Sequence, residues 1–358
     1  MFLPGSDRFG GRTRLFCSVQ IGMHMNGFLI YVAKRFGQFV FVVVTGVTLA
    51  FLIAHFSPVD PVEQTLSLVT NFGATDPRSV EILRASLREL YGTEGSMISQ
   101  YFAFWGRVIR GDFGPSLSAF PTPVMTIISR ALPWTIGLLT LATIISWVIG
   151  NLLGAIAGYF RTSRSIKIVG LLVMALQPIP TYITGLTLLI IFGFLWPILP
   201  ISGGAQLNLE PAASWGYISS VIQYGTLPAL TLVLVGMGGW FVSMRSLVSN
   251  IVTDDFVVYS ELAGVPSRTV FSKYVARNAM LPQVTGLALS LGNVFGGAVI
   301  VEFIFNYPGI GKLMVAGIYA GDYSLVLGVT TFSVIAVATA VFLIDILYPL
   351  IDPRVKLG

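Results

Sequence analysis

Residues 254–282 read DDFVVYSELAGVPSRTVFSKYVARNAMLP, a polar and basic interruption between two long apolar runs. Asp254 and Asp255 stand where N-cap oxygens would start a short helix, and Gly264 stands where that helix would stop. Pro266 fits the first turn of a second helix, Ser267 to Met280 continues it with Lys273 and Arg277 four residues apart, and Pro282 opens the next apolar segment. The pattern predicts a helix-turn-helix hung between two hydrophobic spans. Its plain reading is a basic helical loop, and its sharper reading is a rigid knob that another protein grips.

The composition sets the solvent of the rest. Of 358 residues, 54% are hydrophobic and 10% charged, with a mean hydropathy of +0.82. A soluble domain carries roughly a quarter charged residues, so a soluble enzyme with a large core is excluded and a membrane protein is expected. The formal charge of +5 then records lysine and arginine held on the cytoplasmic face rather than a nucleic-acid partner. Cys17 is the single cysteine and His24 and His55 the two histidines. The chain cannot build an internal disulfide or a thiolate metal site, and a histidine metal centre is not expected.

Residues 1–24 are polar, glycine-containing and basic, and read as a disordered extension. Residues 25–56 give an amphipathic lead and a first span, Phe36 to Phe56, about 21 residues that cover about 30 Å. Residues 57–134 form a mixed-charge region. A helix opens there at Asp76-Pro77 with Val80, Leu83, Leu87 and Leu90 on one stripe, and a second amphipathic piece runs from Met97 to Ile109. These helices make either a small extracytoplasmic domain or a pair lying on the membrane surface. Residues 135–358 hold five further apolar runs, near 135–159, 168–196, 227–244, 283–305 and 328–351.

Six spans with the N-terminus inside place Lys34, Arg35, Arg161, Arg164, Lys167, Arg245, Arg268, Lys273, Arg277, Arg354 and Lys356 on the cytoplasmic side, and leave Lys312 as the one basic residue of a short outer loop. Both termini and the 254–282 stretch are therefore expected in the cytoplasm. Gly150, Gly154 and Gly158, and again Gly292 and Gly296, recur every four residues and predict close helix contacts. Pro178 and Pro180 predict a kink. Glu302 and Asp345 lie near span ends rather than at the midplane, which favours packing or interfacial ion pairs over proton coupling.

The segments SELAG and RNAMLP, at the spacing they have here, resemble the cytoplasmic coupling loop of binding-protein-dependent ABC importer permeases. The loop length resembles the dipeptide, oligopeptide and nickel branch, as do GDFGPS before the second span, NYPGIGKL after the fifth and the closing DPRVK. Val258, Tyr259 and Ser260 replace the Glu-Ala-Ala core of the wider family. The resemblance implies an all-α polytopic fold of six transmembrane helices in a prokaryotic plasma membrane, with 254–282 as the coupling element. ATPase-coupling residues would be Ser260, Glu261, Leu262, Ala263, Gly264, Val265 and Arg268.

It also implies a second, related permease, two ATPase subunits and an extracytoplasmic solute-binding protein as partners, with lipid around the spans. No cofactor is expected in this chain, ATP and magnesium belonging to the ATPases. NYPGIGKL is the nearest approach to a phosphate-binding loop, but Asn306 and Leu313 replace the first glycine and the magnesium-binding hydroxyl, and no catalytic cluster is found. The substrate class on this reading is peptides, with nickel and short oligosaccharides as alternatives, and no substrate-binding residue is identified. An ion-gradient-driven secondary transporter is the competing function, for which the sequence offers no internal repeat.

Overall fold

The computed structural model describes residues 10–56, 62–63, 66–67, 77–91, 95–209 and 214–351, with side chains described for 28–56, 62–63, 66–67, 78–89, 95–209 and 214–347. The regular elements among the described residues are helices, joined by turns and one isolated bridge between Pro115 and Pro123. Helix α1 (Gly10–His55) is followed by two amphipathic helices, α2 (Pro77–Tyr91) and α3 (Met97–Ile109), then by the long α4 (Val124–Tyr159). Residues 1–9 lie outside the described set. From Gly10 the backbone is helical through His55.

Helices α1, α4, α7 (Trp215–Ile251) and α12 (Tyr323–Ile351) contain the segments long and apolar enough to cross a membrane. The third expected span is a bent pair, α5 (Arg164–Leu176) and α6 (Thr181–Leu189), whose second half continues as a π-helical turn, Ile190–Leu195. The two halves diverge by 103°, far more than a kink. Pro178 and Pro180 sit at the break and supply no backbone donors there. The fifth expected span is likewise not one helix. It consists of α9 (Arg277–Gly292), a 3₁₀ turn (Asn293–Gly296) and α10 (Val299–Ile304), with Gly297 at φ +75° between the last two. The expected six spans thus correspond to four continuous helices, one bent pair and one broken run.

The structure is built around the α4–α7 contact. A Cβ on Gly150 would lie 2.6 Å from the Met237 carbonyl oxygen, on Gly154 2.5 Å from that of Phe241, and on Gly158 2.8 Å from the Val248 Cβ. Absent side chains on one face therefore let the two backbones touch, as the four-residue spacing predicts. Gly292 makes a similar approach to Ile344 at 3.0 Å, whereas Gly296 has nothing nearer than 3.9 Å. At the other edge α1 lies along α12. Phe39 stacks on Phe342 at 5.2 Å, Tyr31 donates to the Asp345 carbonyl, and Arg35 pairs with the Asp345 carboxylate at 3.2 Å. Asp345 is thus an ion-paired acid at a helix interface.

Gly154→Val should push α4 off α7 and destabilise the protein by about 1–3 kcal/mol or more, read as a lower unfolding midpoint in detergent. Gly137→Ala, where a Cβ meets nothing within 4 Å, should leave the midpoint unchanged or raise it slightly.

Candidate functional site

The 254–282 stretch folds as α8 (Asp255–Leu262), a tight turn, a short helical turn (Ser267–Thr269) and a π-helical run (Val270–Ala276) that leads into α9. Asp254 occupies the N-cap with extended backbone, but its side chain makes no capping hydrogen bond. Asp255 in the first turn supplies negative charge to the helix N-terminus instead. The other end is closed by the backbone. Gly264 has φ +76°, its N–H donates to the Glu261 carbonyl at 3.0 Å, and the Val265 N–H donates to the Ser260 carbonyl at 3.1 Å. This pair of bonds is the Schellman closure, whose left-handed residue is normally glycine. A Cβ on Gly264 would meet nothing within 4 Å, so the demand for glycine here is conformational and not one of crowding within the chain.

Two details differ from the sequence reading. Pro266 is the N-cap of the second helix rather than its first residue, and Pro282 lies inside α9 rather than at its start. The π-helical run was not legible either. Its fully buried Val270 and Val275 are held by tertiary contacts that no local pattern encodes.

The inner side of the stretch is anchored. Val257, Val270, Val275 and Ala279 are fully buried and cluster with Ala155 of α4 and with Met244 and Val248 of α7, at one end of the glycine seam. The Tyr159 hydroxyl is 3.3 Å from Glu261 Oε1 and 3.4 Å from the Ser267 carbonyl. Arg161 donates to the carbonyls of Gly158 and Ser249, joining the ends of α4 and α7. Of the seven predicted coupling residues, Glu261, Leu262, Ala263, Gly264 and Arg268 are exposed, while Ser260 and Val265 are half-buried. Tyr259 and Leu262 are 70% and 79% exposed, so the outward side of the turn is an apolar knob with Glu261 and Arg268 beside it.

A family model described as "Binding-protein-dependent transport system inner membrane component" matches residues 150–357. The chain belongs to this family. The matched region runs from the first glycine of the seam through the 254–282 stretch and α12. Among similar proteins, the oligopeptide transport system permease protein AppB of Bacillus subtilis is 30% identical over 88% of this chain and 95% of its own length. The dipeptide transport system permease protein DppB of Lactococcus lactis is 27% identical over 91% and 99%, and DppB of Bacillus subtilis 28% over 91% and 98%.

At the opposite end of this permease two buried carboxylates hold the loops. Glu302, fully buried, accepts from the Thr135 hydroxyl at 2.9 Å and from the backbone N–H groups of Gly311 and Lys312 at 2.6 and 3.3 Å. Those N–H groups open helix α11 (Ile310–Ala320), so the carboxylate occupies a helix N-terminus and satisfies groups that would otherwise be orphaned. Thr135 in turn accepts from the Ile310 N–H at 2.8 Å. A side chain at Gly309 would collide with the carboxylate, and one at Gly311 would collide with the Val299 backbone and crowd the carboxylate at 3.0 Å. The glycines of NYPGIGKL therefore make room for an acid of the chain itself, which explains why the segment imitates a phosphate loop.

The second acid, Asp322, escaped the sequence reading. It is fully buried, accepts from the Leu325 N–H at the start of α12 at 2.9 Å, and receives the hydroxyls of Ser116 and Ser118 and the Ser118 N–H. The serines of GDFGPSLS are thereby pinned to the last span. The available signal was an Asp two residues before a long apolar run, an N-cap position. Burial, and then the neighbouring Glu302, push the Tyr307 phenol up to about 12, so that residue serves as a neutral packing group.

Glu302→Gln should leave a backbone N–H facing an amide NH₂ and cost about 1–3 kcal/mol. The expected outcome is a midpoint lower by several degrees, with new protease cleavage near residues 306–312. Thr135→Val should show a smaller change of the same kind.

Proposed function

We propose that this chain is the membrane-spanning permease subunit of an ABC importer for peptides, coupled through residues 260–268 to ATPases on separate chains. The observation that carries the reading is a rigidly closed, exposed turn whose buried side is packed on the ends of the two most tightly joined spans. A second, related permease completes the pathway, and an extracytoplasmic binding protein delivers the solute. Peptides are favoured because the relatives above carry oligopeptide or dipeptide transport in their names. Both termini and the coupling turn face the cytoplasm, on the asymmetry of lysine and arginine.

The geometry supports a specific route for force. ATP binding closes the two ATPases, and whatever grips Tyr259, Leu262 and the Glu261–Arg268 flank moves the turn as a body. Val257, Val270 and Val275 transmit that displacement to α4 and α7 together, because the glycine seam leaves no slack between them. The permeases tilt to open the pathway outward, and hydrolysis resets the inward-facing state.

Gly264→Val should insert and assemble with the second permease yet lose ATPase docking or substrate-stimulated hydrolysis, since a β-branched residue at φ +76° strains the turn by about 1–3 kcal/mol. Unchanged ATPase association and transport in this variant would remove the coupling assignment. Orientation is checked separately. With Cys17 replaced, cysteines at Leu207 and at Ser165 should be labelled from opposite sides, Leu207 by an impermeant reagent added to intact cells and Ser165 only after permeabilisation. External labelling of both would overturn the topology.

A further inference from the structure

Helix α3 has three faces, and the coupling reading uses none of them. Phe104 and Val108 are buried against Val47, Phe51 and Leu327 of α1 and α12. Next to that face Ile98, Phe102 and Ile109 are 70%, 67% and 81% exposed, an apolar stripe of four- and seven-residue spacing. The third face carries Ala103, Gly106, Arg107 and Arg110. With Ser86 and Glu89 of α2 and with Asp112 it lines a cleft of about 630 Å³.

The charges in this cleft are unusually placed. Among the described residues neither arginine forms an ion pair, and neither does Glu89 or Asp112. Arg110 Nε donates to the Gly106 carbonyl at 2.9 Å, and Asp112 Oδ1 accepts from the Gly114 N–H at 2.9 Å. Arg107 is half-buried. Its desolvation lowers its pKa from the usual guanidinium range in spite of the opposing effect of Asp112, although a guanidinium stays charged. Two guanidiniums and two carboxylates thus border one cleft without pairing, an arrangement complementary to a ligand that carries both signs. The exposed apolar stripe beside it is complementary to hydrocarbon, and an amphipathic helix docked on two spans is placed to lie at a membrane surface.

We propose that the cleft between α2 and α3 holds the headgroup of a zwitterionic phospholipid. Its phosphate meets Arg107 and Arg110, its ammonium meets Glu89 and Asp112, and its acyl chains lie against Ile98, Phe102 and Ile109. The assignment rests on the membrane reading of the fold, and only the choice of the outer leaflet rests on the orientation proposed above. Arginine suits the phosphate because its planar fork donates two parallel hydrogen bonds. The lipid would fix α3 at headgroup depth and, through Phe104 and Val108, the outer ends of α1 and α12.

The test is native mass spectrometry of the assembled transporter, purified in detergent after reconstitution in phosphatidylethanolamine or phosphatidylglycerol. The wild type should retain phosphatidylethanolamine in preference to phosphatidylglycerol. Arg107→Gln/Arg110→Gln should lower that retention by roughly tenfold, and Glu89→Gln/Asp112→Asn should abolish the preference between the two lipids. Ala103→Phe, which fills the cleft and leaves every charge in place, should also lose the lipid and serves if the arginine variant does not purify. Equal retention of both lipids by the wild type, or retention untouched by the arginine and Ala103 variants, would overturn the proposal. Dialanine at millimolar concentration should not displace the lipid; displacement would assign the cleft to free zwitterionic peptides instead. The readout is lipid retention, so loss of ATPase coupling and loss of the headgroup site are distinguishable.

Discussion

In hydrocarbon, helices gain nothing from hiding apolar surface from one another, so they associate through close packing and the few hydrogen bonds available. The α4–α7 seam is where this chain meets that constraint. Three glycines on one helix lie against the backbone and β-carbons of the other, and much of the remaining structure leans on the pair. Phe241 packs under Gly170 of α5, Gln177 lies against Gly238, and Trp240 reaches Gly286 of α9. The Trp147 indole donates to the Gln283 carbonyl at 2.9 Å, and Gln283 donates to Ser243 at 2.8 Å. A bent span and a broken span are tolerated because both have this rigid post beside them.

The proposed coupling element takes its character from the same post. An exposed loop between spans would ordinarily be a soft part of the molecule. Here the loop has a buried side of four valine and alanine residues set on Ala155, Met244 and Val248, while its outward side is left open. The connection onward to α9 is of a different kind, a seven-residue π-helical run followed by a helix with an internal proline. In the proposed mechanism displacement of the turn therefore reaches α4 and α7 through packed side chains, and reaches α9 through the less regular backbone.

The opposite end of the protein is held by charge buried in place. Glu302 and Asp322 each sit at the start of a helix, and each brings in a distant segment, Thr135 in one case and Ser116 with Ser118 in the other. A buried carboxylate is costly unless it accepts several hydrogen bonds, and N-terminal N–H groups provide them together with a favourable dipole. The two acids therefore act as staples, and helix α11 is fastened close to both of its ends.

Composition and run lengths were enough, in sequence alone, to establish a polytopic α-helical membrane chain, because hydrocarbon admits few alternatives. The four-residue glycine spacing in α4 located the principal helix contact, and SELAG located a helix stop whose glycine does adopt a left-handed backbone. The continuity of spans was decided by tertiary structure. Pro178 and Pro180 are compatible with a mild kink, and only the packing of α5 and α6 on α7 sets the bend at 103°. The distant partners of Glu302 and Asp322, Thr135 and Ser116, lie 167 and 206 residues away along the chain. No periodicity records such a pairing, because the protons that satisfy a buried acid come from wherever the fold closes.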